Sequence, residues 1–243
     1  MTWNEVFCNT FKELRERISP ETRKQVDLML PSWPMVDACR ADSLDAFQPF
    51  IAAGKLSVED MHQACDRYHL GKTKTGTPIY WMIDDMNTPL DAHIGDRWIS
   101  QLLKNREPLI NAWHVAHCLF GLHLLAHTMS PIAIVESESS AIVLSALFPE
   151  TIWLAYATTS HLSPDLFAPL EGHIVTIYPR TDPTLSNYLF FQDLVSLTLQ
   201  RYDLDITVSP LLEDNATPTQ KDRYIDLLDY LKESLNAPAE KSS

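Results

Sequence analysis

The spacing of apolar residues changes twice along the chain. Up to about residue 68, apolar positions recur every three or four residues, which predicts amphipathic helices. Residues 77–83 and 90–94 are rich in β-branched and aromatic residues and predict two strands. From residue 131 onwards, short apolar runs alternate with helical patterns, which is typical of a parallel sheet with helices on both faces. The predicted fold class is therefore α/β.

Individual elements follow from the same pattern. The N-terminal segment is predicted to be helical over residues 3–30, with Val6, Phe11 and Leu14 on one stripe. Shorter helices are predicted at 43–53 and 57–68, and Ser57 with Asp60 three residues later indicates a capping box. In the second half we predict strands at 132–135, 151–155, 174–178 and 204–208, and helices at 139–147, 185–202 and 217–235.

These elements suggest four parts of the chain. Residues 1–67 form an N-terminal helical segment and residues 68–128 a small α+β region. Residues 129–235 form the α/β domain with the mostly parallel sheet. The polar residues 236–243 are expected to be a disordered tail.

Charge and composition narrow the possible partners. The net charge is −13, from 19 basic and 32 acidic residues, and Lys and Arg form no cluster. Binding to a phosphate backbone needs such a cluster, so independent, non-specific DNA binding is disfavoured. No run approaches the ~20 apolar residues of a membrane span, and the N-terminus lacks the pattern of a signal peptide. The four cysteines form no CxxC pair. We therefore expect a cytoplasmic protein without a membrane partner.

Candidate chemistry lies where two predicted strands end. Glu136 follows the run Ile132 to Val135, and Asp182 follows the strand that ends near Tyr178. If these strands are neighbours, the two carboxylates meet at the carboxyl edge of the sheet, where open α/β sheets bind their ligands. Paired carboxylates suit Mg²⁺, which in turn can stabilise charge on a phosphoryl group. Glu136 and Asp182 are therefore the predicted catalytic and magnesium-binding residues.

The same residues carry a family resemblance. The run that ends in Glu136 resembles the first signature of Toprim domains, in which an apolar strand of type IA topoisomerases and bacterial primases ends in one essential glutamate. The second Toprim signature is Asp-x-Asp, and the corresponding triplet is Arg180-Thr181-Asp182. The resemblance implies Mg²⁺ at Glu136 and Asp182, with substrate or partner contacts from neighbouring residues: Ser137, Glu138, Ser139 and Arg180.

A broader series of motifs over about residues 60–235 resembles a Toprim-related family of Bacteroidetes. Its members are often encoded on conjugative elements, beside or fused to primase-type zinc fingers. The motifs of this chain include the Tyr68-His69-Leu70-Gly71 turn, Val135-Glu136-Ser137-Glu138 and Asp226 to Leu231. The resemblance implies a role in the DNA processing of a mobile element, with DNA reached through other proteins.

The chain departs from that family at three places. Ser139 stands where the family has Lys, the loop from Tyr156 to Ser160 replaces a glycine-rich one, and Arg180 replaces an acid. These departures predict weak or no catalysis, and they predict that Arg180 forms an ion pair with Glu136 in place of a bound cation. Alternatively, both acids cap the helices that follow them.

Two other functions remain open from the sequence. One is an active Mg²⁺-dependent enzyme of nucleotidyl transfer or phosphodiester cleavage. The other is a protein-interaction module that binds a partner or its own copies and has no nucleic-acid role. A zinc site is a minor alternative, because His114, His117, His123 and His127 follow one another at close spacing around Cys118.

Overall fold

The computed structural model describes residues 31–99, 118–126 and 129–235, which form a mixed α/β fold with two four-stranded sheets. The antiparallel sheet has the order β1-β2-β3-β4 and the parallel sheet the order β6-β5-β7-β8. The strands are β1 (Gly71–Lys72), β2 (Pro78–Ile83), β3 (Pro89–Ile94), β4 (Arg97–Trp98), β5 (Ile132–Val135), β6 (Ile152–Ala155), β7 (Ile174–Ile177) and β8 (Asp205–Val208). The helices are α1 (Trp33–Ala38), α2 (Gln48–Ala52), α3 (Val58–Arg67), α4 (Glu138–Leu147), α5 (Ser186–Leu199), α6 (Leu211–Asn215), α7 (Pro218–Asp222) and α8 (Leu227–Ser234).

The parallel sheet is buried on both faces, which explains its continuous apolar strands. Ala133 and Val135 of β5 pack in the core that contains α4. Ile132 and Ile134, which point the other way, pack in the core that contains the buried side of α5. The prediction of an α/β fold with helices on both faces of a parallel sheet is confirmed.

The antiparallel sheet packs against the parallel sheet through shared core residues. Met82 of β2 lies in the same hydrophobic cluster as Val135 of β5. The hydroxyl group of Tyr68, after α3, donates to the backbone oxygen of Trp153 in β6 at 2.6 Å. The capping box predicted at Ser57 and Asp60 is present at the start of α3.

The predicted closing helix over residues 217–235 is wrong. Two helices, α7 and α8, replace it, because the chain turns at Tyr224, whose φ is 55°. Asp226 then starts α8 as its N-cap and accepts a hydrogen bond from the backbone N–H of Asp229 at 2.8 Å. The helices predicted over residues 3–30 and the tail 236–243 lie outside the described residues.

The strand order places a crevice at one edge of the parallel sheet. From β5 the chain continues to β6 on one side, and from β7 it continues to β8 on the other side. Such a change of direction separates the loops after β5 and β7, and open α/β sheets bind ligands at this point. Glu136 and Arg180 follow these two strands.

Within the described ranges, no helix has the length and apolar character needed to cross a membrane.

Candidate functional site

A pocket of about 390 Å³ opens at the carboxyl ends of β5, β6 and β7. Three parts of the chain form its walls: the β2–β3 hairpin with the turn that follows it, the strand ends of the parallel sheet, and the segment that leads into α8. The lining residues are Tyr80, His93, Gly95, Glu136, Ser137, Glu138, Ala157, Arg180, Tyr224, Asp226 and Asp229.

Glu136 and Arg180 form an ion pair across the crevice. The Arg180 Nε lies 3.0 Å from the Glu136 Oε2, and the glutamate side chain is the more buried of the two, at 23% exposure against 43%. The short distance follows from the pairing of β5 with β7, which puts the two strand ends side by side. The ion pair predicted between these residues is therefore present.

A second group lies beside Glu136. The hydroxyl group of Tyr156, directly after β6, is close enough to the glutamate side chain to help lower the pKa of that carboxyl. Tyr156 is buried, at 7% exposure, and burial followed by the nearby Glu136 charge raises the pKa of its hydroxyl group well above the ordinary value. Tyr156 therefore stays protonated next to the carboxylate.

The electrostatic balance at Glu136 is set mainly by burial. Burial raises the pKa of Glu136, while the Arg180 charge and the Tyr156 hydroxyl group lower it and the nearby Asp226 raises it further. The net shift is upward, so the crevice does not fully compensate for the water that the carboxylate has lost. Arg180 is the positive group that limits this shift.

Arg180 also contacts an aromatic ring. The guanidinium carbon lies 5.9 Å from the centre of the Tyr224 ring, within the range of a cation–π contact. Tyr224 owes this position to the turn between α7 and α8. The backbone next to it is fixed, because the Thr181 N–H donates to the Ile225 oxygen at 3.1 Å.

The other predicted ligand, Asp182, has a different environment. Its strand neighbours that of Glu136, which was the condition for the two carboxylates to meet, but its carboxylate is buried and does not line the pocket. It accepts hydrogen bonds from the backbone N–H groups of Thr184, Ser186 and Asn187 and from the Thr184 and Ser186 hydroxyl groups, at 2.5–3.1 Å. Burial raises the pKa of Asp182, but these hydrogen bonds outweigh burial and hold the pKa well below its usual range. Asp182 thus satisfies the first N–H groups of α5.

The acid that faces Glu136 from the end of the chain is Asp226. Its Oδ2 accepts a hydrogen bond from the Ser140 hydroxyl group of α4 at 2.5 Å. Burial is the main reason that the pKa of Asp226 is raised above its ordinary value. Asp226 therefore brings a further carboxylate to the crevice, from a segment that the sequence placed inside a helix.

The turn after Glu136 contributes the remaining predicted contacts. The Ser137 and Ser139 hydroxyl oxygens lie 2.8 Å apart. Glu138 is buried and its Oε1 lies 2.7 Å from Nδ1 of His93 on β3. Ser137 and Glu138 line the pocket, whereas Ser139 lies near Tyr80 at its wall and lowers the pKa of that hydroxyl group, which burial raises. Sequence reasoning missed Tyr156, Asp226 and His93, because nothing in the chain order indicates that they meet Glu136 or Glu138.

The acidic side chains that line the pocket are not grouped as metal ligands. Over residues 31–99, 118–126 and 129–235, no three His, Cys, Asp or Glu side chains form a group that could hold a metal ion. Of the histidines considered for zinc, His123 lies in these ranges, with Nε2 3.2 Å from the Arg67 backbone oxygen, while His114, His117 and His127 lie outside them.

Comparisons with known proteins give two findings. Residues 87–181 match the family model of a domain of unknown function, DUF6371, which covers less than half of the chain. Glu136 and Arg180 lie inside this match. The crystal structure of the Aquifex aeolicus primase (zinc-binding and RNA polymerase domains) is similar at 12% identity and a TM-score of 0.37, over 96% of this chain. The chain spans 59% of the length of that structure. A comparison with curated proteins gave no match.

Proposed function

We propose that the chain is a Toprim-related protein that serves DNA processing, in the context of a mobile element, with weak or no catalysis of its own. One observation carries this proposal: Arg180 forms an ion pair with Glu136, the residue that corresponds to the essential glutamate of the Toprim signature. Magnesium chemistry needs this carboxylate as a metal ligand. In this chain one of its oxygens is paired with a guanidinium, and the Tyr156 hydroxyl group lies nearby.

Arg180 and Tyr156, the two groups beside Glu136, come from places where the chain departs from the family pattern. Arg180 replaces the first acid of the second signature, and Tyr156 begins the loop that replaces a glycine-rich one. Each substitution alone removes a feature that catalysis uses. Both side chains lie beside the same carboxylate. Together they support one interpretation, in which a fixed guanidinium occupies the place of a metal ion.

The second signature acid supports the same conclusion. Asp182 accepts five hydrogen bonds within its own loop and the first turn of α5. A carboxylate that coordinates Mg²⁺ would have to give up several of them, and hydrogen bonds to a charged group contribute about 1.5–3 kcal/mol each. Metal binding at Asp182 would therefore be opposed by the stability of the fold.

The charge of the chain supports action through partners. With a net charge of −13 and no cluster of Lys and Arg, the chain offers little electrostatic attraction to a phosphate backbone. We propose that a protein partner, or a second copy of the chain, brings it to DNA.

The active-enzyme alternative is favoured by Asp226. Its carboxylate lines the same pocket as Glu136 and Glu138, so acids besides Glu136 border the space that a cation displacing Arg180 would enter, although no three such side chains in the described ranges are grouped as metal ligands. The interaction-module alternative is favoured by α5, whose Leu189, Phe190 and Leu197 are exposed.

The test is Mn²⁺ binding, followed by electron paramagnetic resonance, to the wild-type chain and to Arg180→Asp and Arg180→Lys. We expect weak binding to the wild type and to Arg180→Lys, which keeps the positive charge. Arg180→Asp should bind at least about tenfold more tightly, because it replaces a repelling charge with a carboxylate ligand. Adding Glu136→Gln to Arg180→Asp should abolish the gain. Tight binding to the wild type that Glu136→Gln abolishes would support the active enzyme instead.

A second assay separates the nucleic-acid role from the interaction module. We expect a weak, salt-sensitive gel shift with single-stranded DNA and no Mg²⁺-dependent cleavage. A stable oligomer on a sizing column, without any shift of the DNA, would contradict the nucleic-acid role.

A further inference from the structure

His93 and Glu138 join the two sheets at the edge of the crevice. His93 lies on β3 of the antiparallel sheet, and Glu138 is the first residue of α4, which follows β5 of the parallel sheet. Their Nδ1 and Oε1 atoms are 2.7 Å apart, and both residues line the pocket. The contact spans elements that are 45 residues apart in the chain.

The pair is largely shielded from water. The His93 and Glu138 side chains are 18% and 7% exposed. The His93 ring also stacks on Trp98 of β4, with centroids 4.9 Å apart and an interplanar angle of 27°. Stacking fixes the ring so that Nδ1 faces the carboxylate. A buried carboxylate depends strongly on such a partner, because it has lost its hydration.

We propose that His93 and Glu138 form a pH-sensitive clamp, which holds the β2–β3 hairpin on the crevice when His93 is charged and loosens when His93 is neutral. The proposal concerns the coupling of the two sheets, and it does not depend on whether the chain acts on nucleic acid. As the pH rises, Glu138, which lies two residues after Glu136 at the crevice, loses the positive charge of His93.

The ionisable groups around His93 favour its charged form. Glu138 faces it from α4, Asp91 lies on its own strand, Asp96 lies in the turn before β4, and Tyr80 is its partner across β2. Glu136, Arg180, Tyr224, Asp226 and Asp229 line the same pocket further away. The permanently positive groups are Arg97 of β4, which lies 3.6 Å from Asp96, and Arg180, which is paired with Glu136.

The direction of the pH effect follows from these contacts. The hydrogen bond to Glu138 raises the pKa of His93, burial opposes it, and the acids nearby add to the rise. A histidine whose pKa is higher in the folded state stabilises the fold fully below its unfolded value of about 6.5. This contribution is lost as the pH rises through the folded pKa.

The test compares the wild-type chain with His93→Gln and with His62→Gln, a control in α3 outside the pocket. At pH 6 the wild type should melt about 2–4 °C above His93→Gln, and at pH 9 the difference should fall to less than half of that value. His62→Gln should follow the wild type at both pH values. A difference between wild type and His93→Gln that is equal at pH 6 and pH 9 would overturn the clamp.

An NMR titration tests the clamp even if His93→Gln fails to fold. In the wild type, the His93 ring resonances should titrate above the ordinary value of about 6.5, and in Glu138→Gln they should titrate at lower pH than in the wild type. In the wild type, the hydrogen-exchange rate of the β3 amides should rise with pH more steeply than the intrinsic exchange rate does. In Glu138→Gln, the exchange rate should follow the intrinsic pH dependence. Titration of His93 at or below the ordinary value would overturn the proposal.

Discussion

Asp182→Ala is expected to lower the free energy of unfolding by about 2–4 kcal/mol. The substitution removes the acceptor of five hydrogen bonds and leaves the backbone N–H groups of Ser186 and Asn187 without the side chain that satisfies them. The first turn of α5 then loses its cap, and the loop before α5 loses the acceptor of its hydrogen bonds. Urea unfolding followed by circular dichroism measures the loss.

Asp193→Ala is the matched control, because Asp193 is an exposed acid on the same helix. It should change stability by less than about 0.5 kcal/mol. If both variants lose equal stability, the effect comes from charge or helix propensity and the account of Asp182 is wrong. If Asp182 were only a metal ligand, without a structural role, Asp182→Ala would leave the free energy of unfolding of the metal-free chain almost unchanged.

The contribution of Asp182 should depend on pH. Because its folded pKa lies below the unfolded value of about 3.9, the carboxylate stabilises the fold fully above that value. The advantage of the wild type over Asp182→Asn should therefore be largest above about pH 5 and shrink as the pH falls towards the folded pKa. An advantage that grows in acid would contradict this sign.

Gly121→Ala is expected to lower the free energy of unfolding by about 2–5 kcal/mol, from overpacking and from a left-handed backbone. Gly121 has a φ of 83°, and an added Cβ would lie 2.9 Å from Tyr68 Cε1 and 3.1 Å from the Trp153 oxygen. These two groups are joined by the Tyr68 hydrogen bond to Trp153. The methyl group would thus push apart the contact between the end of α3 and β6.

Gly172→Ala separates the cost of overpacking from the cost of the left-handed backbone. Gly172 also has a positive φ, of 86°, but a Cβ added to it would meet nothing within 4 Å, so only the backbone cost of about 1–2 kcal/mol applies. Thermal or urea unfolding of both variants gives the comparison. Equal losses at the two glycines would show that the close approach of Tyr68 and Trp153 is not important.

The sequence predicted those elements whose pattern is local. The strand from Ile132 to Val135 is apolar at every position because both of its faces are buried, and this pattern is read directly from the chain. The capping box of Ser57 and Asp60 is equally local. The helix over 217–235 was overextended, although Asp226 followed by Leu227, Leu228 and Asp229 carries a capping signal of its own.

The site was predictable only in part. The alternation of strands and helices places Glu136 and Arg180 at the ends of two strands, but the sequence alone does not show that these strands are neighbours; the structure supplies that pairing. Once the strands are neighbours, the opposite charges suggest an ion pair. The direction of the Asp182 side chain depends on the turn made by Thr184 and Ser186, which compete for its oxygens. The contacts of Tyr156 and Asp226 depend on packing between distant segments, which hydrophobic spacing does not encode.

We propose that Arg180 takes the place of a metal ion at Glu136. Anomalous scattering from a crystal of the wild-type chain soaked in Mn²⁺ tests this proposal at the atoms concerned. We predict the Arg180 guanidinium within hydrogen-bonding distance of Glu136 and no anomalous peak on the glutamate. A Mn²⁺ peak bonded to Glu136, with Arg180 turned away from it, would contradict the account.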